Sequence, residues 1–183
     1  MRSTNDVTSE KTYMVSPNNG EPFQPVAVPT PKEGAMIGTL SIPKLEQTVS
    51  IFHGSNETIL RKGIGHVKGT ALPGEASNSV LAGHRDTFFR KLEQLEQGDK
   101  LIVHRSEAKY LYKINKIRIV DKDDRTVIVP KPRSTLTLTT CYPFTFIGPA
   151  PQRYIIEAEL IKKPQKGNHS HKNSKFVSGP RSN

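Results

Sequence analysis

Residues 137–144 read TLTTCYPF, a threonine-rich run that ends on Cys141, the single cysteine of a 183-residue chain. From Leu136 to Cys141 the even positions hold Leu136, Leu138 and Thr140, and the odd positions hold Thr137, Thr139 and Cys141. Successive side chains of a strand leave opposite faces, so the leucines point into a core and the thiol points away from it. A cysteine used for packing would sit with the leucines. A lone cysteine makes no disulfide within its chain, so a sulfur on the outer face is read as chemistry.

Downstream, Tyr154, Ile156, Ala158 and Leu160 form a second alternating apolar face, and Arg153 opens the opposite one. The stretch between, YPFTFIGPAPQ (residues 142–152), is rich in turn formers and allows the two strands to be antiparallel neighbours. Cys141 and Arg153 then share a cleft outside the core. The alternative for Arg153 is a surface ion pair with Glu157, two pleats along the same face.

A free thiol titrates near pH ~8.5 and is only a few per cent thiolate at neutral pH, so a reactive one needs a base or a positive neighbour. Six histidines are available. His169 and His171 lie in a polar tail, and HSH alone is a poor metal site. His53, His66 and His104 read as half-buried or exposed structural residues. His84 differs: in SVLAGHRD (79–86) it leaves an apolar run through a glycine, and such strand-end loops project side chains into clefts. Asp86 reads as a helix cap and Arg85 as surface charge.

Working outward, seven short apolar or alternating runs predict strands: 36–42, 48–53, 79–82, 100–104, 110–120, 136–141 and 153–161. Two short helices are expected between them. SNETILRKG (55–63) has a cap at Ser55 or Asn56, and DTFFRKLEQLEQG (86–98) repeats apolar residues at Phe88, Leu92 and Leu95. In KYLYKINKIRIV (109–120) the apolar phase moves from Tyr110, Tyr112 and Ile114 to Ile117 and Ile119, which predicts a bulge near Asn115. The fold class is mainly β, a closed sheet with short helices in its connections.

Prolines recur through SPNNGEPFQPVAVPTPK (16–32), an extended arm rather than a folded element. The organisation read from the chain is therefore an arm or linker at 1–33, a folded domain at 34–161 and a basic tail at 162–183. Net charge is +10, but the tail holds six basic residues and no acid. The basic residues of the body are scattered with no aromatic interleaving, which argues against nucleic-acid binding. Mean hydropathy is −0.53. No run approaches the ~18 apolar residues of a membrane helix.

LAGHRD (81–86), TLTTCYPF and APQRYII (150–156) together resemble the sortases, the cysteine transpeptidases of Gram-positive cell surfaces. The resemblance covers about 34–161. HRDTFFRKLEQLEQGDKL, IVDKDD and the tyrosine-proline after the cysteine are most similar to class D. A class C enzyme would show threonine-proline there and an asparagine-rich turn before its arginine.

The resemblance implies an eight-stranded sortase β-barrel with His84, Cys141 and Arg153 as catalytic residues. It implies proteins with LPxTG-like sorting signals as substrates and a peptidoglycan-precursor amine as acceptor. Thr140 and the apolar residues Val127, Ile128 and Val129 of the loop 121–132 are the expected substrate contacts. An N-terminal membrane anchor, absent from this sequence, and an extracytoplasmic location are implied too. No cofactor is required. Some sortases bind calcium through acidic loop residues, but DKDD (121–124) lacks the spacing of a known calcium loop and reads as solvated charge. Glu21, Pro22 and Phe23 are faintly similar to the lid of pilin-type sortases; the alternative is a plain linker. On residues alone, a hydrolytic cysteine peptidase and an idle β-barrel binding module stay open as rivals.

Overall fold

A computed structural model describes residues 29–145, 147–162 and 164. The arm residues Glu21 to Phe23 and the tail histidines lie outside the described residues. Among the described residues eight strands are formed: β1 (Met36–Ile42), β2 (Gln47–His53), β3 (Ile64–His66), β4 (Asn78–Ala82), β5 (Lys100–Arg105), β6 (Ala108–Asp121), β7 (Thr135–Tyr142) and β8 (Gln152–Lys162). They close into a barrel in the order β1-β2-β3-β4-β7-β8-β6-β5. The seam is sealed by antiparallel pairing of β1 with β5, Leu40 opposite Val103.

The alternation read from the sequence sets the inside of this barrel. Leu136, Leu138, Ile156 and Ala158 are fully buried in one cluster with Leu40 and Ile51. Each of the leucine and isoleucine side chains contributes ~1.5–3 kcal/mol on burial. The bulge expected near Asn115 is present, since Ile114 pairs with Ala158 and Lys116 with Glu157, leaving Asn115 extra. It turns the phase of β6 so that both halves of a 14-residue strand serve the sheet.

β3 was not among the expected strands. It is three residues long and sits in the glycine-spaced GIGH (63–66), where no alternation is visible. Gly65 is required by close approach, because a Cβ there would collide with the Gly54 carbonyl.

The first expected helix exists as one turn, α1 (Glu57–Leu60), capped by Asn56, whose Oδ1 accepts from Ile59 N at 3.0 Å. The second does not form. Residues 85–91 are turns, followed by a 3₁₀ turn at Leu92–Gln94. Phe89, rather than Phe88, is fully buried along with Leu92, and its ring lies against Gly83. Packing that ring into the barrel draws the chain off the α-helical path, so Asp86, exposed, caps no α-helix. Among the described residues no helix is long and apolar enough to cross a membrane.

Candidate active site

Three strand ends converge. β7 and β8 pair antiparallel in a register that sets Cys141 directly opposite Arg153. β4 runs parallel to β7 on its other side, with Ala82 level with Thr139. Gly83 continues the ladder by donating its N–H to the Thr139 carbonyl at 3.2 Å. Thr140 Oγ1 then donates to the Gly83 carbonyl at 2.7 Å. The next residues of the two segments are His84 and Cys141, so the register, carried one step further, brings their backbones to adjacent positions at the barrel rim.

Cys141 is a half-buried free thiol. Together with Arg153 it lines an open cleft of about 870 Å³, walled by residues 121–124 at the end of β6 and 148–151 before β8. Arg153 Nη1 donates to the carbonyls of Ala150 and Gln152 at 3.1 and 2.9 Å, which fixes the guanidinium against the cleft wall. The alternative partner is occupied elsewhere. Glu157 is buried and receives Arg118 Nη2 and Lys131 Nζ, each at 3.0 Å. Burial by itself would raise the Glu157 pKa, but the hydrogen bond and charge of Lys131, with Arg118, hold it below the ordinary carboxylate value.

The His84 side chain is about one-third exposed and lies outside the lining of that cleft, and its Nε2 is 3.5 Å from Glu57 Oε1 on α1. Arg85 is half-buried rather than simply solvated, and its Nη2 donates to the Gly148 carbonyl at 3.0 Å. That bond ties the segment after β4 to the 148–151 wall. The wall is rooted by three packed rings, Tyr142, Phe144 and Tyr154, with centroids 5.2–6.0 Å apart. Sequence reasoning missed this bracing, since an arginine beside a histidine carries no sign of a carbonyl 63 positions away.

The expected substrate contacts are placed differently from one another. The Thr140 hydroxyl is engaged with Gly83, as above. Val127 is buried, and its carbonyl and that of Val129 accept from Asn78 Nδ2, both at 3.0 Å. Ile128 is 54% exposed. All three lie outside the lining of the cleft that holds Cys141 and Arg153. The acids of the loop do not assemble a cation site: Asp124 Oδ1 accepts from both Thr126 N and Thr126 Oγ1 at 2.6 Å. Among the described residues no group of three or more His, Cys, Asp or Glu is arranged to hold a metal ion.

His53 and His66 are both buried, deeper than expected, with Nδ1 atoms 3.0 Å apart. They sit side by side in the parallel pairing of β2 and β3. His104 is exposed.

A closed eight-stranded barrel with a free cysteine opposite an arginine at two strand ends is compatible with a cysteine enzyme, and the comparisons supply the family. The family model described as Sortase domain matches residues 40–161. Sortase D of Bacillus subtilis (strain 168) is 45% identical over 132 residues, 72% of this chain and 67% of that protein. Sortase SrtE1 of Streptomyces coelicolor is 33% identical over 147 residues, 70% of this chain but 39% of that protein. Among solved structures, a Clostridium perfringens Sortase D5 transpeptidase superposes with a TM-score of 0.66 at 32% identity, covering 72% of this chain and 82% of that one. Sortase C from Clostridium perfringens SM101 gives a TM-score of 0.65 at 30% identity, with 72% of each chain covered. The chain belongs to the sortase family of cysteine transpeptidases, and its similarity to Sortase D agrees with the class D expectation.

Proposed function

We propose that this chain cleaves an LPxTG-like sorting signal and transfers the released acyl group to a peptidoglycan-precursor amine at the extracytoplasmic face of the cell. The register that sets Cys141 opposite Arg153, with His84 two residues past the end of β4 on the other side of β7, is the observation that supports it. The Cys141 thiolate attacks the threonine carbonyl of the signal and forms a tetrahedral intermediate. The C–N bond then breaks, with the His84 imidazolium giving its proton to the departing amine, and a thioester remains on Cys141. The acceptor amine attacks that thioester, His84 takes the proton back, and the thiolate leaves. General acid–base help of this kind is worth ~10²–10⁴ in rate.

Arg153 donates to the carbonyl oxygen as it gains charge, or clamps the substrate backbone. One oxyanion donor is commonly worth ~10²–10³. Residues 34–161 form the catalytic unit in this proposal, with 1–33 as arm and 162–183 as tail. Of the loop residues expected to contact the signal, the exposed Ile128 and half-buried Val129 are the ones available to its apolar part, Val127 being buried; Thr140 contributes its backbone.

The test is product analysis by mass spectrometry. LPxTG, LPxTA and related peptides are incubated with and without an added amine, with Cys141→Ala as control. Amine-dependent ligation that vanishes in Cys141→Ala is expected. Cleavage without ligation at any amine concentration would make the chain a hydrolase. Absence of cleavage across the panel, with wild-type alkylation of Cys141 insensitive to His84→Ala, would make it a binding module.

A further inference from the structure

The short helix α1 carries an acid that the mechanism above does not use. Glu57 Oε1 lies 3.5 Å from His84 Nε2, at ion-pair distance from the proposed proton carrier. The same oxygen lies 3.3 Å from Arg61 Nε, one turn along α1, so the carboxylate is steadied from both sides.

What brings it there is backbone packing rather than chance contact of two long side chains. Gly65 of β3 admits the chain at the start of α1: a Cβ at 65 would collide with the Gly54 carbonyl and lie 3.0 Å from Ser55 Cα. Gly54 N also donates to the His66 carbonyl at 2.8 Å. Gly65 in turn pairs with Ala82, two residues before His84. The cap residue is braced as well, because Asn56 Nδ2 donates to Glu33 Oε1 at 3.0 Å and Lys68 Nζ donates to Glu33 Oε2 at 2.8 Å. Glu57 on α1 and His84, two residues past β4, are thus carried by segments that both pack on β3.

We propose that Glu57 is a positioning residue for His84, its carboxylate holding the imidazole in one orientation between the two proton transfers. It acts through His84 and touches no reacting atom. The proposal rests on the transpeptidation reading above, in which His84 is the proton carrier. Because Glu57 is 61% exposed, its contribution is bounded. An exposed ion pair shifts an equilibrium by no more than about fivefold.

Two assays test it: steady-state transfer from an LPxTG-like peptide to an amine, and alkylation of Cys141 by iodoacetamide with no peptide present. Glu57→Gln is expected to lower kcat about two- to fivefold at nearly constant KM and to slow alkylation by a similar factor. In a His84→Ala background the same substitution is expected to leave alkylation unmoved, the signature of action through the ring. A Glu57→Gln enzyme with wild-type kcat and alkylation rate, a loss confined to KM, or an equal loss in the His84→Ala background would overturn the proposal. If wild-type protein alkylates but processes no sorting peptide, the transpeptidation reading fails while alkylation still decides whether Glu57 acts on His84.

Discussion

Thr140 lends its hydroxyl to the Gly83 carbonyl immediately before His84, and its own chain continues at once into Cys141. One side chain therefore ties the segment that carries His84, the proposed proton carrier, to the strand that carries Cys141, the proposed nucleophile. Thr140→Val keeps the shape but orphans a buried carbonyl, which costs ~1–3 kcal/mol. It should lower both the melting temperature and kcat, while Thr140→Ser retains most of each, as read by circular dichroism and peptide turnover.

A second residue-scale consequence concerns the buried histidine pair. Burial, with the nearby Lys68 charge, pushes the His53 pKa below its ordinary value of 6.5. A depressed histidine is neutral in the folded state and takes up a proton more readily once unfolded. Its contribution is complete above about pH 6.5 and declines as pH falls through the lower folded value. Urea midpoints measured from pH 8 down to about 5 should fall across that window, and His53→Gln should flatten the fall. A midpoint independent of pH there would contradict the buried pair.

At the scale of elements, the β6–β7 connection is pinned to the outside of the barrel by a polar network. Glu157 on β8 joins Arg118 of β6 to Lys131 of the loop, and Asn78 of β4 holds the Val127 and Val129 carbonyls while accepting from Thr137 Oγ1 at 2.7 Å. Breaking a buried ion pair from one side costs ~3–5 kcal/mol, and the partly exposed cations here reduce that to about 2 kcal/mol. Glu157→Gln should therefore destabilise the fold by that order in urea titrations at pH 7. The Glu157 pKa is depressed in the folded state, so this stability is present above its unfolded value of 4.5 and is lost as pH falls through the lower folded value. Asn78→Ala removes two donors from the loop and should speed amide exchange at residues 125–131 more than in β5.

For the molecule as a whole, the barrel core and the cleft are separable. Leu138 is fully buried two strand positions from Thr140 and reaches no part of the cleft lining. Leu138→Ala should cost ~2–5 kcal/mol of global stability. Turnover per folded molecule should stay near wild type at low temperature.

Much of this architecture is legible in the chain because period-two alternation is local: Leu136 and Leu138 inside, Cys141 outside, Tyr154 and Ile156 inside, Arg153 outside. A one-residue error in either strand would have exchanged those faces, and the phase change at Asn115 could be read for the same reason. Tertiary packing decided the rest. β3 exists because Gly65 lets α1 press against it, and 86–98 forms turns and one 3₁₀ turn in place of an α-helix because Phe89 is drawn into the barrel beside Gly83. The parallel match of β4 with β7, which sets His84 next to Cys141, joins residues 57 positions apart and depends on closure of the sheet. Alternation tells a side chain which face to take, but only the closed ring of hydrogen bonds decides which strand becomes its neighbour.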